Sequence, residues 1–255
     1  MIVPPFIAGV SLAGRRWGPS IGGWLIGLPM NAGVIVFFVA LEQGDSFAAK
    51  TAQGSLLGTI SLAFFCLTYT RTAPNLGKWY WALTASWIVF SLSTFILEGF
   101  TLPVTISFPI VAILLLAVRM GMHKTGNADS VAKAPSRDYP KWDIPLRVVT
   151  ATTLVFALTV AATQLGPQLT GLLAPFPIYA TVLTSFTHHL EGESAAIRFL
   201  RGLIVGLYTF ATFFLVLGIT IQALGIAISF TLALAVSLLV HFCSLTLTRI
   251  RTSAP

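Results

Sequence analysis

Long runs of apolar residues without a charged side chain dominate the chain, and short polar stretches separate them. Most runs hold about 20 residues, which at a rise of about 1.5 Å per residue form an α-helix that crosses a hydrocarbon core of about 30 Å. The pattern therefore predicts about nine transmembrane helices. Their approximate bounds are 2–13, 19–41, 47–70, 79–97, 102–118, 146–165, 167–188, 195–218 and 221–247.

The first run is shorter than the others and could be mistaken for a signal peptide. No basic segment precedes it and no small-residue cleavage pattern follows it, so we expect a span. The composition supports this view of the whole chain, because 56% of the residues are hydrophobic and only 9% are charged, against about 25% charged in an ordinary soluble domain. We therefore expect an all-α integral membrane protein that has membrane lipid as a partner.

Basic residues are distributed unevenly about these segments. If the polar stretch 120–147 is cytoplasmic, nine alternating crossings place 14 of the 15 Lys and Arg residues on the cytoplasmic side and only Lys50 outside. Cytoplasmic loops of membrane proteins carry such an excess of Lys and Arg. The pattern predicts an outer N-terminus and a cytoplasmic C-terminus, and it explains the net charge of +7 without nucleic-acid binding.

An internal repeat is visible when the two halves of the chain are aligned. Residues 18–58 align without gaps with residues 166–206, and 13 of the 41 positions are identical, where composition alone gives roughly 3 or 4. Five crossings separate the two copies, so their orientations are opposite. We predict two inverted-topology repeats, residues 1–119 with five spans and residues 148–255 with four, joined by the cytoplasmic linker 120–147. This design is typical of secondary transporters.

The second and seventh spans carry helix-breaking residues at matching positions. Pro29 and Pro177 each lie about ten residues into their span, with glycine or proline neighbours. Proline removes a backbone donor and frees a carbonyl that lipid cannot satisfy. Paired broken helices of this kind form the substrate or ion site in transporters. The structural alternative is a simple kink with close helix packing.

Polar residues occur beside both predicted breaks. Asn31 aligns with Tyr179, and Gly33 aligns with Thr181. A buried amide or hydroxyl in lipid needs a partner. These residues are therefore candidate ligands for a substrate, and the alternative is that they bind the freed backbone groups.

Two further repeat pairs carry charge or a polar amide. Lys50 aligns with Arg198, which predicts one cation near the outer mouth of a pathway and one near the inner mouth, and such symmetry fits an anion route. The alternative is that both side chains reach along their helices to the membrane surface. Gln53 and Arg201, one helical turn further on, form a second candidate pair.

Other chemistry receives little support. The cluster of His and Glu residues between His188 and Glu193 falls at a helix end, where a solvated loop is favoured over a metal site. No acid is predicted near the bilayer centre, and the zinc-protease, serine-hydrolase and nucleotide-binding motifs are absent. We expect no enzyme activity, no cofactor and no metal, and the histidine in the ninth span, His241, is expected to pack and hydrogen-bond.

The chain resembles an uncharacterised group of bacterial inner-membrane proteins nearly end to end, through the segments RRWGPSIGGWLIGLPMNAGVIVFFVALEQGDSFAA and GLLAPFPIYATVL. The resemblance implies location in the bacterial inner membrane and implies no substrate. The pair of broken helices is also similar in plan to the sodium/proton antiporter and bile-acid symporter architectures, although the mid-membrane acids of the antiporters are missing here.

Three functions remain open on the sequence. The leading hypothesis is a secondary transporter or facilitator that moves a small anionic or amphiphilic organic solute by alternating access. The first alternative is a translocase for a lipid or a polyprenyl phosphate. The second is a membrane scaffold or assembly subunit that transports nothing. The sequence does not determine the oligomeric state, and a homo-oligomer is among the open alternatives.

Overall fold

The computed structural model describes residues 3–30, 32–123, 139–162 and 177–252, with the backbone alone for 158–162 and 246–252. Within these residues the chain forms nine α-helices and no β-strand. The helices are α1 (Val3–Trp17), α2 (Pro19–Ile26), α3 (Ala32–Gln43), α4 (Asp45–Leu76), α5 (Trp79–Glu98), α6 (Val104–His123), α7 (Asp143–Ala162), α8 (Ile178–Glu191) and α9 (Glu193–Thr252).

Four of the described helices, α4, α5, α6 and α9, are long and apolar enough to cross a membrane. On α5 the outward face is apolar, with Ile88 62% and Phe95 74% exposed, while Ala82, Ser86 and Phe90 at four-residue spacing are buried. A face of this kind is covered by lipid in a membrane, whereas in water it would be an unprotected apolar patch. The structure therefore fits the predicted all-α, multi-pass membrane protein.

Two long helices form the centre of the bundle. α4 packs against α3, α5, α6 and α9, and α9 packs against α2, α4, α6 and α8. Their large buried side chains include Phe65 and Tyr69 on α4 and Leu200 and Phe214 on α9. Because α4 and α9 have the most neighbours, they position the shorter, interrupted helices around them.

α9 is divided into two arms at Gly225, which has φ 72° and ψ 176°. The arms run back along each other, since Thr209 and His241 are hydrogen-bonded and the rings of Phe213 and Phe230 are 6.0 Å apart. The predicted loop at residues 219–220 was therefore placed too early. The helix continues through this apolar stretch because only the glycine readily adopts the left-handed backbone of the turn.

Glycines with positive φ recur at the spacing of the predicted repeat. Gly44 has φ 83° and ψ 173°, and Gly192 has φ 94° and ψ 172°. Gly77 has φ 66° and Gly225 has φ 72°. α4 and the first arm of α9, residues 193–224, thus each lie between two such glycines.

The structure also corrects two expected polar stretches. α6 continues to His123 and α7 begins at Asp143, so both ends of the predicted linker 120–147 are helical. α8 continues to Glu191, and Gly192 alone separates it from α9, so the loop expected near the histidines is one residue long. Asp143 in the first turn of α7 interacts favourably with the positive end of the helix dipole.

Candidate functional site

The second predicted span is interrupted, as its Gly and Pro residues predict. α2 ends at Ile26 and α3 begins at Ala32. At the end of α2 the amides of Gly27 and Leu28 bond to carbonyls only three residues back, at 3.1 and 3.2 Å. Helical bonding resumes from the amide of Gly33 to the carbonyl of Pro29, at 2.8 Å. The break therefore lies at buried Pro29, which has no amide hydrogen to continue the helix.

Glycines allow the backbone of α2 to touch the first arm of α9. A Cβ atom on Gly27 would lie 2.1 Å from the carbonyl carbon of Gly206, and one on Gly202 would lie 2.0 Å from the carbonyl oxygen of Ser20. Gly23 and Gly27 on α2, and Gly202 and Gly206 on α9, have the four-residue spacing of close helix crossings in membranes. Close packing thus accounts for these glycines, while the break accounts for Pro29.

The residues beside the first break are only partly described. Asn31 lies outside the described residues. Gly33 is buried, and a Cβ atom there would lie 3.3 Å from the ring of Phe213 on α9. Gly33 therefore provides room for an aromatic ring.

The seventh span is described only from Pro177 onwards. Pro177 occupies the N-cap of α8, and its carbonyl accepts the amide hydrogen of Thr181 at 2.7 Å. The Tyr179 ring contacts Phe6 of α1 at 5.5 Å, and the Thr181 hydroxyl accepts a hydrogen bond of 2.9 Å from the indole of Trp87 on α5. These two contacts join α8 to its neighbours, and the rest of the predicted second break lies outside the described residues.

The charged repeat pair occupies similar positions on its two helices. Lys50 on α4 is exposed, and Arg198 on α9 is half-buried. Each lies between one and two turns from the start of its helix, so the structure keeps their positions equivalent. Whether either cation attracts a substrate remains a prediction.

The other predicted pair contacts the two ends of α6. The Gln53 amide donates a hydrogen bond to the carbonyl of Leu102, just before α6 begins. The Arg201 guanidinium donates one of 2.7 Å to the carbonyl of Met122, in the last turn of α6. These bonds connect α6 to α4 and α9, so we assign both side chains a role in positioning α6.

A cluster of charged residues lies where α1 ends, α7 begins and α8 ends, and its residues were not among the predicted site residues. Asp143 is completely buried and accepts hydrogen bonds from Arg15 and from Arg147, the latter at 2.7 Å. The Arg15 guanidinium also lies 4.0 Å from the centre of the Tyr139 ring. The spacing of Asp143 and Arg147 by one helical turn was a usable signal, but Arg15 is 128 residues away in the chain.

This cluster opens into a narrow, partly open cleft, which we call the arginine cleft. Its polar lining consists of Ser11, Arg15, Arg147, Thr187 and Glu191, and its apolar lining includes Val10, Leu183 and Phe199. Pro19 and Gly22 of α2 complete it, so the cleft lies between the second and seventh predicted spans.

Glu191 is the acid of the arginine cleft that is not ion-paired in the described structure. Burial raises the pKa of its carboxyl group, and the charge of Arg147 and a hydrogen bond from Tyr139 act in the opposite direction. Burial, followed by the charge of Glu191, raises the pKa of the Tyr139 phenol. The sequence placed Glu191 in a solvated loop, whereas the fold places it among two arginines, a tyrosine and a buried aspartate.

The two histidines that drew attention in the sequence are both packed. The Nδ1 atom of His188 is 2.8 Å from the hydroxyl of buried Tyr69. The ring of His241 stacks on Trp24 with centroids 3.6 Å apart, and its Nδ1 atom is 2.8 Å from the hydroxyl of Thr209. The packing expected for His241 is therefore present.

No protein family, curated protein or solved structure matches this chain. The geometry of the described residues is therefore the basis for the functional proposals below.

Proposed function

We propose that the protein is a secondary transporter or facilitator of a small anionic or amphiphilic organic solute, working by alternating access in a bacterial inner membrane. The substrate pathway runs between the second and seventh spans, past the break at Pro29. The arginine cleft is the end of that pathway on the side where Arg15 lies, which the charge distribution makes cytoplasmic.

The observation that carries this proposal is the environment of α6. Gln53 and Arg201 are paired in the repeat alignment, and they bind the beginning and the end of α6 respectively. α6 itself has no counterpart in the second repeat and packs against both α4 and α9. Equivalent residues that bind opposite ends of one central helix are what two inverted repeats related by an in-plane two-fold axis require.

The backbone conformation supports the same relation. Gly44 and Gly192 have closely similar φ and ψ. Gly77 and Gly225 both have positive φ but differ in ψ, which is −15° and 176° respectively. A shared sequence could persist without a shared conformation. Agreement in sequence and in conformation at Gly44 and Gly192 therefore favours two repeats that keep the same local fold.

Inverted repeats favour transport because the two halves can exchange conformations. The exchange turns a pathway open on one side into one open on the other around a fixed central site. Buried Arg147 and half-buried Arg15 in the cleft favour an anionic solute, since a guanidinium group binds carboxylate and phosphate oxygens through paired hydrogen bonds. The apolar walls from Val10, Leu183 and Phe199 suit a solute with an organic part.

The test is counterflow of labelled benzoate into liposomes that contain the purified protein. Benzoate combines a carboxylate with an apolar ring, as the arginine cleft requires. We expect accumulation well above that in protein-free liposomes, and saturation by unlabelled benzoate. Absence of counterflow for benzoate and for a panel of short-chain carboxylates would contradict the proposal, and movement of a fluorescent phospholipid instead would favour the translocase.

The charged pair is tested in the same assay. Removal of a cation that lies about 4 Å from a bound anion abolishes their electrostatic attraction. That attraction is about 1 kcal/mol in water-like surroundings and about 4 kcal/mol at an effective dielectric constant of 20. Lys50→Gln and Arg198→Gln should therefore weaken apparent affinity between about fivefold and several hundredfold. Lys78→Gln, which removes an exposed cation beyond the end of α4, is the matched control. Unchanged affinity in both repeat variants would remove the pair from the pathway.

A further inference from the structure

We infer that the arginine cleft binds a small organic carboxylate together with one proton, and that Glu191 carries the proton. The inference deepens the proposed function, on which it rests, because it makes the transporter a proton–carboxylate symporter. Its residues are Arg15 and Arg147, which face the carboxylate, Ser11, which offers a hydroxyl, and Glu191.

Three buried hydrogen-bond donors of residues that line the arginine cleft have no partner among the described residues. Arg147 is 4% exposed and Ser11 is 5% exposed. Each arginine gives one side of its guanidinium to Asp143. The Nη2 atom of Arg147, the Nε atom of Arg15 and the hydroxyl of Ser11 are buried and have no hydrogen-bond partner among the described residues. These three groups line one cleft, and an isolated buried donor is unfavourable, so a bound carboxylate would stabilise them.

The balance of charges in the cleft explains why a proton should accompany the carboxylate. Arg15 and Arg147 carry two positive charges, and ionised Asp143 and Glu191 carry two negative charges. A carboxylate that enters this neutral, poorly hydrated cluster leaves one negative charge without compensation. Protonation of one acid restores the balance.

Of the two acids, Glu191 is better placed than Asp143 to take the proton. Both carboxylate oxygens of Asp143 already accept hydrogen bonds, Oδ2 from Arg15 and Oδ1 from Arg147, so an added proton would have to displace a guanidinium group. Glu191 has no such bond in the described structure, and burial already favours its neutral form. A second anion in the cleft acts in the same direction, so proton binding and carboxylate binding reinforce each other.

The groups around Glu191 do not provide a competing proton carrier in the cleft. Burial raises the pKa of the Tyr139 phenol further above neutrality, so this group does not exchange a proton near pH 7. α2 contributes no titratable side chain. The other titratable side chains on α8 and at the ends of neighbouring helices include Arg16, Tyr69, Lys78, Tyr80, Lys141, His188, His189, Glu193 and Arg198, and none of them is among the described residues that line the cleft.

The experiment measures benzoate binding and proton uptake by the purified full-length protein in detergent. Equilibrium dialysis gives Kd between pH 5.5 and 8.5, and a pH indicator in weakly buffered solution gives protons bound per benzoate. We expect uptake of about one proton per benzoate, and a Kd that rises about tenfold per pH unit above the pKa of Glu191 in the free protein. Sulfate, which lacks an organic part, should compete at least about tenfold more weakly.

Three variants make the assignment specific. Glu191→Gln mimics the protonated acid, so it should bind benzoate with a pH-independent Kd near the low-pH value of the wild type and take up no proton. Glu193→Gln is the matched control and should behave as the wild type. Arg147→Lys keeps the charge and loses the guanidinium geometry, and it should weaken binding at least about tenfold.

The outcomes separate this inference from the proposed function. Three outcomes would overturn the inference, even where counterflow shows transport. They are saturable benzoate binding with a pH-independent Kd, proton uptake that persists in Glu191→Gln, and equal binding of sulfate and benzoate. Proton-linked binding without counterflow would support the cleft and contradict transport instead. Absence of saturable benzoate binding across the pH range would overturn the cleft as a carboxylate site.

Discussion

Replacement of Gly27 by alanine tests the direct backbone contact between α2 and α9. Gly27 has φ −64° and ψ −9°, values that alanine adopts without strain, so the substitution adds one methyl group and no conformational cost. That methyl carbon would lie 2.1 Å from the carbonyl carbon and 2.2 Å from the Cα of Gly206. Ordinary carbon contacts are about 3.5–4.0 Å, so the helices must separate by more than about 1 Å.

The loss of stability depends on which atoms can move to relieve the close contact. Both contact atoms belong to backbone, so no side chain can rotate away, and overpacking of this kind typically costs about 1–3 kcal/mol. A loss of about 2 kcal/mol lowers Tm by about 4–8 °C in a chain of this size. The measurement is the thermal unfolding of purified variants in one detergent, followed by circular dichroism at a fixed scan rate.

Gly9→Ala is the matched control for this experiment. Gly9 is a helical glycine of α1 at which a Cβ atom would have no neighbour within 4 Å. Its replacement should be neutral or slightly stabilising, because alanine has the higher helix propensity. Equal Tm values for Gly27→Ala and Gly9→Ala would refute the close crossing, and with it the packing role of the glycines beside the break.

Two other predictions test orientation and the buried ion pairs. In a Cys243→Ser background, a single cysteine at Gln43 should react with an impermeant thiol reagent added to intact cells, and one at Lys141 should not; the reverse pattern would invert the topology. Asp143→Asn should destabilise the protein by about 3–5 kcal/mol, chiefly because buried Arg147 loses its counter-charge, and half-buried Arg15 loses its own as well. Asp45→Asn at the start of α4 is the control and should lower the free energy of unfolding by less than about 1 kcal/mol. Similar decreases in Tm for Asp143→Asn and Asp45→Asn would contradict the role of Asp143 in the buried ion pairs.

The helical character and the long apolar helices could be read from the sequence because lipid leaves few choices. A backbone without water must satisfy its own hydrogen bonds, so each long charge-free run must be a helix. The break at Pro29 was equally readable, since proline cannot donate the helical bond. The inverted repeat stays a prediction, although Gly44 and Gly192, 148 residues apart, share a backbone conformation.

The ends of the helices were harder to place. The chain continues as helix through residues 219–224 and turns at Gly225, although Gln222 was the more polar signal. A single polar amide fits inside a helix, whereas a left-handed backbone favours glycine. Conformation, which hydropathy does not record, therefore decided this boundary.

What the sequence by itself determined is the local part of the protein: the spans, the break at Pro29, the repeat and the charge asymmetry all follow from residues close together or from one fixed alignment. Only the tertiary structure showed that Gln53 and Arg201 hold the ends of α6, and that Arg15, Asp143 and Glu191 meet in one cleft. These residues look like loop charges in the sequence, because burial and pairing depend on how helices distant in the chain pack together. Hydrogen-bonding groups in a dry interior act through their neighbours in space, and the order of residues along the chain does not specify those neighbours.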